Sequence, residues 1–293
     1  MLINLIGQFF FVHIMYFIVY TIEKDCLMIN NTFLEAKTLY DQYSIFDNHE
    51  DLADKLFRVL EPSTLSSFGQ LPPREIINTL VMQHYPNEAT IKAAFIDNIL
   101  KNQTNQIVIF EFNVKNSRAD LCKINGNSTV FEIKTDLDNE VRLEKQLQDY
   151  SSVFEQIFII CSEARYQNLK DTLHESVGAY TYSRNQNGRI QFTLTKKAQK
   201  NQAIDSQVQL EALTKKELTH FYPIYKTLEK KEMIYNIARK YAKTTINKTF
   251  KEALKMRYKK RWEFLLFYKE SIYEIDYQWF YNNPISPELV YNQ

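Results

Sequence analysis

The chain has 293 residues, enough for one large or two ordinary domains with a sizeable buried core. Hydrophobic residues make up 45% and charged residues 24%, which excludes disordered, collagenous and linker classes. The net charge of +1 hides an asymmetry, because residues 196–261 carry 18 Lys or Arg against 6 Asp or Glu and the remainder is acidic.

Only 5 Gly and 7 Pro occur, which disfavours sandwiches and propellers that turn about every ten residues and favours longer helices. Cys26, Cys122 and Cys161 lie far apart with no Cys-x-x-Cys pair, so neither a disulfide framework nor a thiolate zinc site is expected. That usage suits a reducing cytoplasm.

Leu2 to Ile22 contains no Asp, Glu, Lys or Arg and is long enough to span a bilayer. No Lys or Arg precedes it, no small-residue cleavage site follows it, and Glu23, Lys24 and Asp25 give no positive-inside bias. Three readings stay open for residues 1–27: a dispensable extension ahead of Met28, a membrane anchor, or a buried helix or signal.

Residues 28–86 read as a helical N-terminal region. Leu34, Ala36, Leu39 and Tyr40 have helix spacing, followed by Leu52, Leu56, Val59 and Leu60. Pro72 and Pro73 open another helix carrying Ile76, Ile77, Leu80 and Val81, and Pro86 and Asn87 stop it. The pattern then predicts a helix from about Glu88 to Lys101 with Ile91, Ala94, Phe95, Ile99 and Leu100 on a stripe wide enough to pack on a sheet.

The period changes at Gln106. Gln106 to Val114, Arg118 to Ile124 and Thr129 to Thr135 read as three strands, the last two joined across the turn dipeptide Asn125-Gly126. Leu137 to Ser151 has helix spacing, and Val153 to Cys161 is an apolar run typical of a doubly buried strand. Ala164 to Glu175 reads as a helix, and Val177 to Ser183 with Arg189 to Thr195 as a hairpin across Asn187-Gly188. These elements define a core over residues 87–195. Residues 196–293 form a basic, aromatic-rich helical region, where a charge of this sign points to an anionic partner such as nucleic acid or to solvated helix faces. No internal repeat and no Walker, Rossmann or zincin motif is present.

Alternation on the third strand sends Glu132 and Lys134 to one face and Phe131 and Ile133 to the other. Taken alone, the pair suits an exposed cross-strand ion pair. Asp120 on the neighbouring strand changes this, because two carboxylates with a backbone carbonyl and waters are what a hard cation such as Mg²⁺ prefers. On the next helix Asp138, Arg142, Gln146 and Tyr150 recur every fourth residue, with Val141, Leu143 and Leu147 placed to pack into the sheet. Such a polar stripe can contact phosphates and base edges, or be a plain surface with an Asp138–Arg142 ion pair.

Asp120, Glu132-Ile133-Lys134 and Gln146-x-x-x-Tyr150 on this frame resemble the PD-(D/E)XK nuclease superfamily, in its RecB-like branch. Ser117 to Asp120, Glu132 to Asp136, Asp138, Arg142, Leu143, Gln146 and Tyr150 are similar to the signature of an uncharacterised bacterial family within it. The likeness covers about residues 87–180, with Ala119 standing where the superfamily carries proline.

The resemblance implies an α/β fold with a restriction-endonuclease-like core of helix, three-stranded meander, helix and strand, and helical N- and C-terminal extensions. It implies a nuclease that hydrolyses DNA with Mg²⁺ or Mn²⁺, held by Asp120, Glu132 and the Ile133 carbonyl. Glu111 is a further ligand in that scheme, with Glu88 as runner-up. Lys134 acts on the attacking water, and Arg118, Arg142, Gln146 and Tyr150 face the nucleic acid. A fold retained for binding nucleic acid or a protein partner, through the helical extensions, is the alternative; a membrane partner follows only from an anchoring role of residues 2–22.

Overall fold

The computed structural model describes residues 31–100, 105–138 and 141–292. It divides into two compact units, Met1–Tyr85 with Tyr291–Gln293, and Pro86–Val290. The apolar segment 2–22 and Cys26 lie outside the described residues. Among those described, no helix is long and apolar enough to cross a membrane.

The first unit is helical: α1 over residues 31–42, α2 His49–Val59, α3 Pro62–Ser67 and α4 Pro73–His84. Asn48 starts α2 with a capping box, its side chain accepting from the Asp51 N–H while the Asp51 side chain takes the Asn48 N–H. Ala36, Leu39, Leu52, Leu56, Ile77 and Val81 form the core. Leu34 is 56% exposed, so the buried stripe of α1 runs through Ala36 and Leu39 without it.

The second unit is mixed α/β. Helix α5, Glu88–Phe95, leads through a π-turn, Ile96–Leu100, to the strands β1 Ile107–Val114, β2 Ser117–Asn125 and β3 Asn127–Lys134. Helix α6 Leu143–Ser151, β4 Gln156–Ser162, α7 Glu163–Leu169, β5 Gly178–Arg184 and β6 Ile190–Lys196 follow. The six strands lie in sequence order, antiparallel from β1 to β3, parallel from β3 to β5, and antiparallel again at β6. Gly126 and Gly188 turn the two hairpins with φ of 70° and 73°, the left-handed conformation that glycine adopts without steric cost. Phe95 of α5 packs on Phe131, Tyr180 and Phe192, which covers the Phe131 face of the sheet and leaves Glu132 on the other.

Three helices are shorter than their spacing predicts. The stripe from Glu88 to Lys101 leaves α-geometry at Ile96. The one from Leu137 begins only at Leu143, because Asp138 accepts hydrogen bonds from the Thr135 N–H (2.7 Å) and hydroxyl (2.9 Å) and closes a local turn. Asp138 therefore lies off the helix, and Val141, expected in the sheet interface, is 86% exposed. Helix α7 stops at Leu169, whose carbonyl accepts from the Thr172 N–H and hydroxyl.

Helices α8 Ser206–Glu211, α9 Lys215–Phe221, α10 Lys230–Lys240, α11 Lys243–Tyr268 and α12 Tyr277–Asn282 follow, with a last short helix, Pro287–Tyr291, at the end. The basic region is woven into the core. Helix α11 buries Ile246, Phe250, Leu254, Trp262 and Leu265, and Phe250 meets Phe112 of β1. Lys251 donates to the Gly126 carbonyl and to Glu155, and Arg257 pairs with Glu217. Part of the positive charge thus neutralises carboxylates of the same unit.

Candidate active site

Asp120 sits where the sheet opens on both sides. The β2–β3 ladder ends at Leu121↔Phe131, and the same register continued sets Asp120 opposite Glu132. On the other edge the β1–β2 register skips from Phe110↔Leu121 to Phe112↔Ala119, leaving Glu111 opposite Asp120 and unpaired. Glu111 has φ of 57°, a left-handed conformation that costs a non-glycine residue about 1–3 kcal/mol and that clusters at functional sites. In the space so opened, Asp120 Oδ2 accepts the Ile133 N–H at 2.7 Å.

Glu132 is 1% exposed, which removes the exposed ion pair that its spacing with Lys134 allows. Its Oε1 accepts from Lys134 Nζ at 2.8 Å and its Oε2 from the Tyr150 hydroxyl at 2.7 Å. Lys134 Nζ also donates to Gln146 Oε1 at 2.9 Å. An ammonium has three donors, so one N–H of Lys134 remains for the cleft. Tyr150 is fully buried, with the Arg118 carbonyl 3.0 Å from its hydroxyl.

Gln146 and Tyr150 therefore point inward at Lys134 and Glu132; Tyr150 is enclosed, while Gln146 is half-buried in the wall of the cleft. The reason is the fourfold spacing itself, which puts both residues on the side of α6 that faces β2 and β3. Arg142, at the N-cap of α6, is exposed and lines the cleft together with Lys145.

On the other side of Asp120 stands Lys92, a residue the sequence pattern did not single out. It is 1% exposed, and its Nζ is ion-paired with Glu88 and Glu111, lies 3.9 Å from Asp120 Oδ1 and donates to Gln278 Oε1 at 3.0 Å. The second oxygen of Glu111 faces the guanidinium of Arg118. Carboxylate oxygens of Glu88, Glu111 and Asp120 all lie within 4.8 Å of one another. The signal that could have found Lys92 is its place four residues after Glu88 and four before the buried Ile96.

Burial, with Glu132 and Glu88 nearby, pushes the Asp120 carboxyl well above the usual carboxylate range. Burial raises Glu132 as well, against the opposing pull of Lys134 and Tyr150. Lys92 is raised although burial opposes it, because Asp120, Glu88 and Glu111 outweigh the desolvation. Burial and Glu132 also raise Tyr150, which keeps its hydroxyl a donor. Cys122 and Cys161 are free and buried, and burial pushes both thiols up.

The cleft has a volume of about 940 Å³, with Asp120, Glu132, Ile133, Lys134 and Gln146 in its wall and Glu88, Arg118, Arg142 and Lys145 around them. Two buried carboxylates that repel one another at its floor fit a divalent cation, since each oxygen retains a lone pair beyond the hydrogen bond it accepts.

Comparison with known proteins gives three likenesses. A solved structure, the SPO1766 protein of unknown function from Silicibacter pomeroyi, aligns at 12% identity and a TM-score of 0.31, over 52% of this chain and 92% of that one. Protein cII of Enterobacteria phage P4 is 31% identical over 135 residues, which is 45% of this chain; the chain spans about half the length of that relative, 51%. Residues 82–275, about two thirds of the chain and inclusive of every candidate site residue named from the sequence, match the family described as bacteriophage P4 protein cII, to which this chain belongs.

Proposed function

We propose that the protein is a metal-dependent nuclease that hydrolyses phosphodiester bonds of DNA, built on a PD-(D/E)XK-type, restriction-endonuclease-like core. The observation that carries the reading is Lys134: a buried ammonium at the floor of a cleft, fixed by Glu132 and Gln146 with Asp120 across the strand pair. Burying three ionisable groups side by side is costly unless they have partners or a task.

Asp120, Glu132 and the Ile133 carbonyl would hold Mg²⁺, with Mn²⁺ as substitute; the Ile133 N–H already faces Asp120, and in an antiparallel ladder the carbonyl of a residue lies on the same edge as its N–H. When bound, the ion polarises the phosphoryl oxygens and neutralises charge that develops on them. Lys134 directs its remaining N–H at the attacking water or a non-bridging oxygen. Tyr150 and Gln146 fix Glu132 and Lys134 in place. Arg118, Arg142 and Lys145 draw the polyanion to the cleft, and the exposed lysines of α9 to α11 extend that field.

Supercoiled plasmid incubated with the protein and Mg²⁺ or Mn²⁺ tests the reading. Nicking by wild type and its loss in Lys134→Met support it. DNA binding without nicking by either would replace it with the non-catalytic reading, a fold retained for binding.

A further inference from the structure

We propose that the site holds a single divalent ion, because the Lys92 ammonium permanently fills the position that a second ion would take; the inference rests on the metal-dependent reading above. Lys92 Nζ is surrounded by side-chain oxygens of Glu88, Glu111, Asp120 and Gln278. That is an oxygen set a hard cation would use, and here it is already occupied by a nitrogen of the chain itself. An ion entering at about 2.0–2.1 Å from these oxygens would overlap the ammonium. Displacing the ammonium would strand a charge that is 1% exposed.

Charge balance gives the same answer. Glu88, Glu111, Asp120 and Glu132 supply four negative charges, and Lys92, Arg118 and Lys134 supply three positive ones. One divalent ion and one phosphodiester bring the site to neutrality. A second ion would add two more positive charges beside the buried ammoniums of Lys92 and Lys134, a repulsion that burial strengthens. Glu111, with Lys92 on one oxygen and Arg118 on the other, then serves as counter-ion to both and not as a metal ligand.

The test is the number of tight Mn²⁺ ions per full-length chain, measured after chelation and titration by calorimetry and electron paramagnetic resonance. Wild type and Lys92→Arg should each bind one ion with an uncoupled spectrum. Lys92→Met should bind two, with the exchange coupling of neighbouring ions, and should gain more thermal stability from Mn²⁺ than wild type does. Two coupled ions in wild type, or one in a folded Lys92→Met, would overturn the inference and leave the nuclease reading standing. No tight ion in wild type would overturn the nuclease reading and the inference with it. If Lys92→Met does not fold, the counts for wild type and Lys92→Arg still decide.

Discussion

Replacing Tyr150 by Phe removes one oxygen from a fully buried ring and nothing else. The hydroxyl has a single proton and two acceptors within reach, Glu132 Oε2 at 2.7 Å and the Arg118 carbonyl at 3.0 Å. The shorter hydrogen bond is to a carboxylate, and a hydrogen bond to a charged group contributes roughly 1.5–3 kcal/mol. Glu132 retains Lys134 on its other oxygen, so the site should persist, less stable by about that amount. For a unit of this size each kcal/mol moves the melting temperature by roughly 2–4 °C, so thermal unfolding should show a drop of several degrees. The hydroxyl also opposes the upward push of burial on Glu132. Without it the carboxyl should titrate higher still. Mn²⁺ binding competes with that proton, so the acid limb of the binding curve should move toward neutral pH, while DNA affinity in a non-catalytic metal stays within about twofold because the ring does not reach the surface. An unchanged melting temperature and an unmoved acid limb would refute the positioning role of Tyr150.

Asp120→Asn should raise the melting temperature of the metal-free protein near neutral pH by a few degrees and abolish Mn²⁺ binding. Its folded pKa lies above the unfolded one, so the charge it carries there destabilises the fold, and an amide still accepts the Ile133 N–H. Glu155 and Glu217 behave oppositely, because the hydrogen bonds they receive from Lys251 and Arg257 outweigh burial and lower their pKa. The stability they contribute is present above the ordinary carboxylate range and lost as pH falls through the lowered values. Urea midpoints for Glu155→Gln/Glu217→Gln should therefore be lower than wild type near neutrality and converge with it in acid; parallel curves would show that neither pair matters. Exchanging Lys215, Lys216, Lys240 and Lys243 for Gln should flatten the salt dependence of DNA binding, by up to about 0.9 in log–log slope for each phosphate no longer neutralised. An identical slope would leave the cleft cations as the whole of the DNA grip.

The succession of strands along the chain was legible because its signals are local. Alternating apolar runs, the Asn125-Gly126 and Asn187-Gly188 dipeptides and the uninterrupted apolar β4 are each contained in ten residues or fewer. Asp120, Glu132 and Lys134 were legible for the same reason, being on one hairpin. Lys92 was not, since beyond Glu88, four residues earlier, its partners come from β1 and from Gln278, 186 residues away, and an i,i+4 Glu–Lys pair marks a surface pair as readily as an enclosed one. Glu111 gave no warning of its positive φ, because residues that adopt that conformation easily are glycine and asparagine. The positive charge after Lys196 was read from composition alone, which does not register that Lys251 and Arg257 are spent on Glu155 and Glu217. A chain ended near Thr195 would lose Phe250, Leu254 and Trp262 from the core, so charge exchange is the sounder test of that region.

The sequential order of the six strands bears on how the molecule is made. Each strand pairs with its immediate predecessor, so the sheet can extend one strand at a time as the chain leaves the ribosome, first β1 with β2 and then the β2–β3 hairpin that carries Asp120 and Glu132. The carboxylates thus come together early. Gln278, which completes the oxygen cage around Lys92, is synthesised 144 residues after Lys134, after the whole sheet and helix α11. Through about half of translation the acidic hairpin exists without its last neighbour, and its final closure coincides with the arrival of the helices that seal β1.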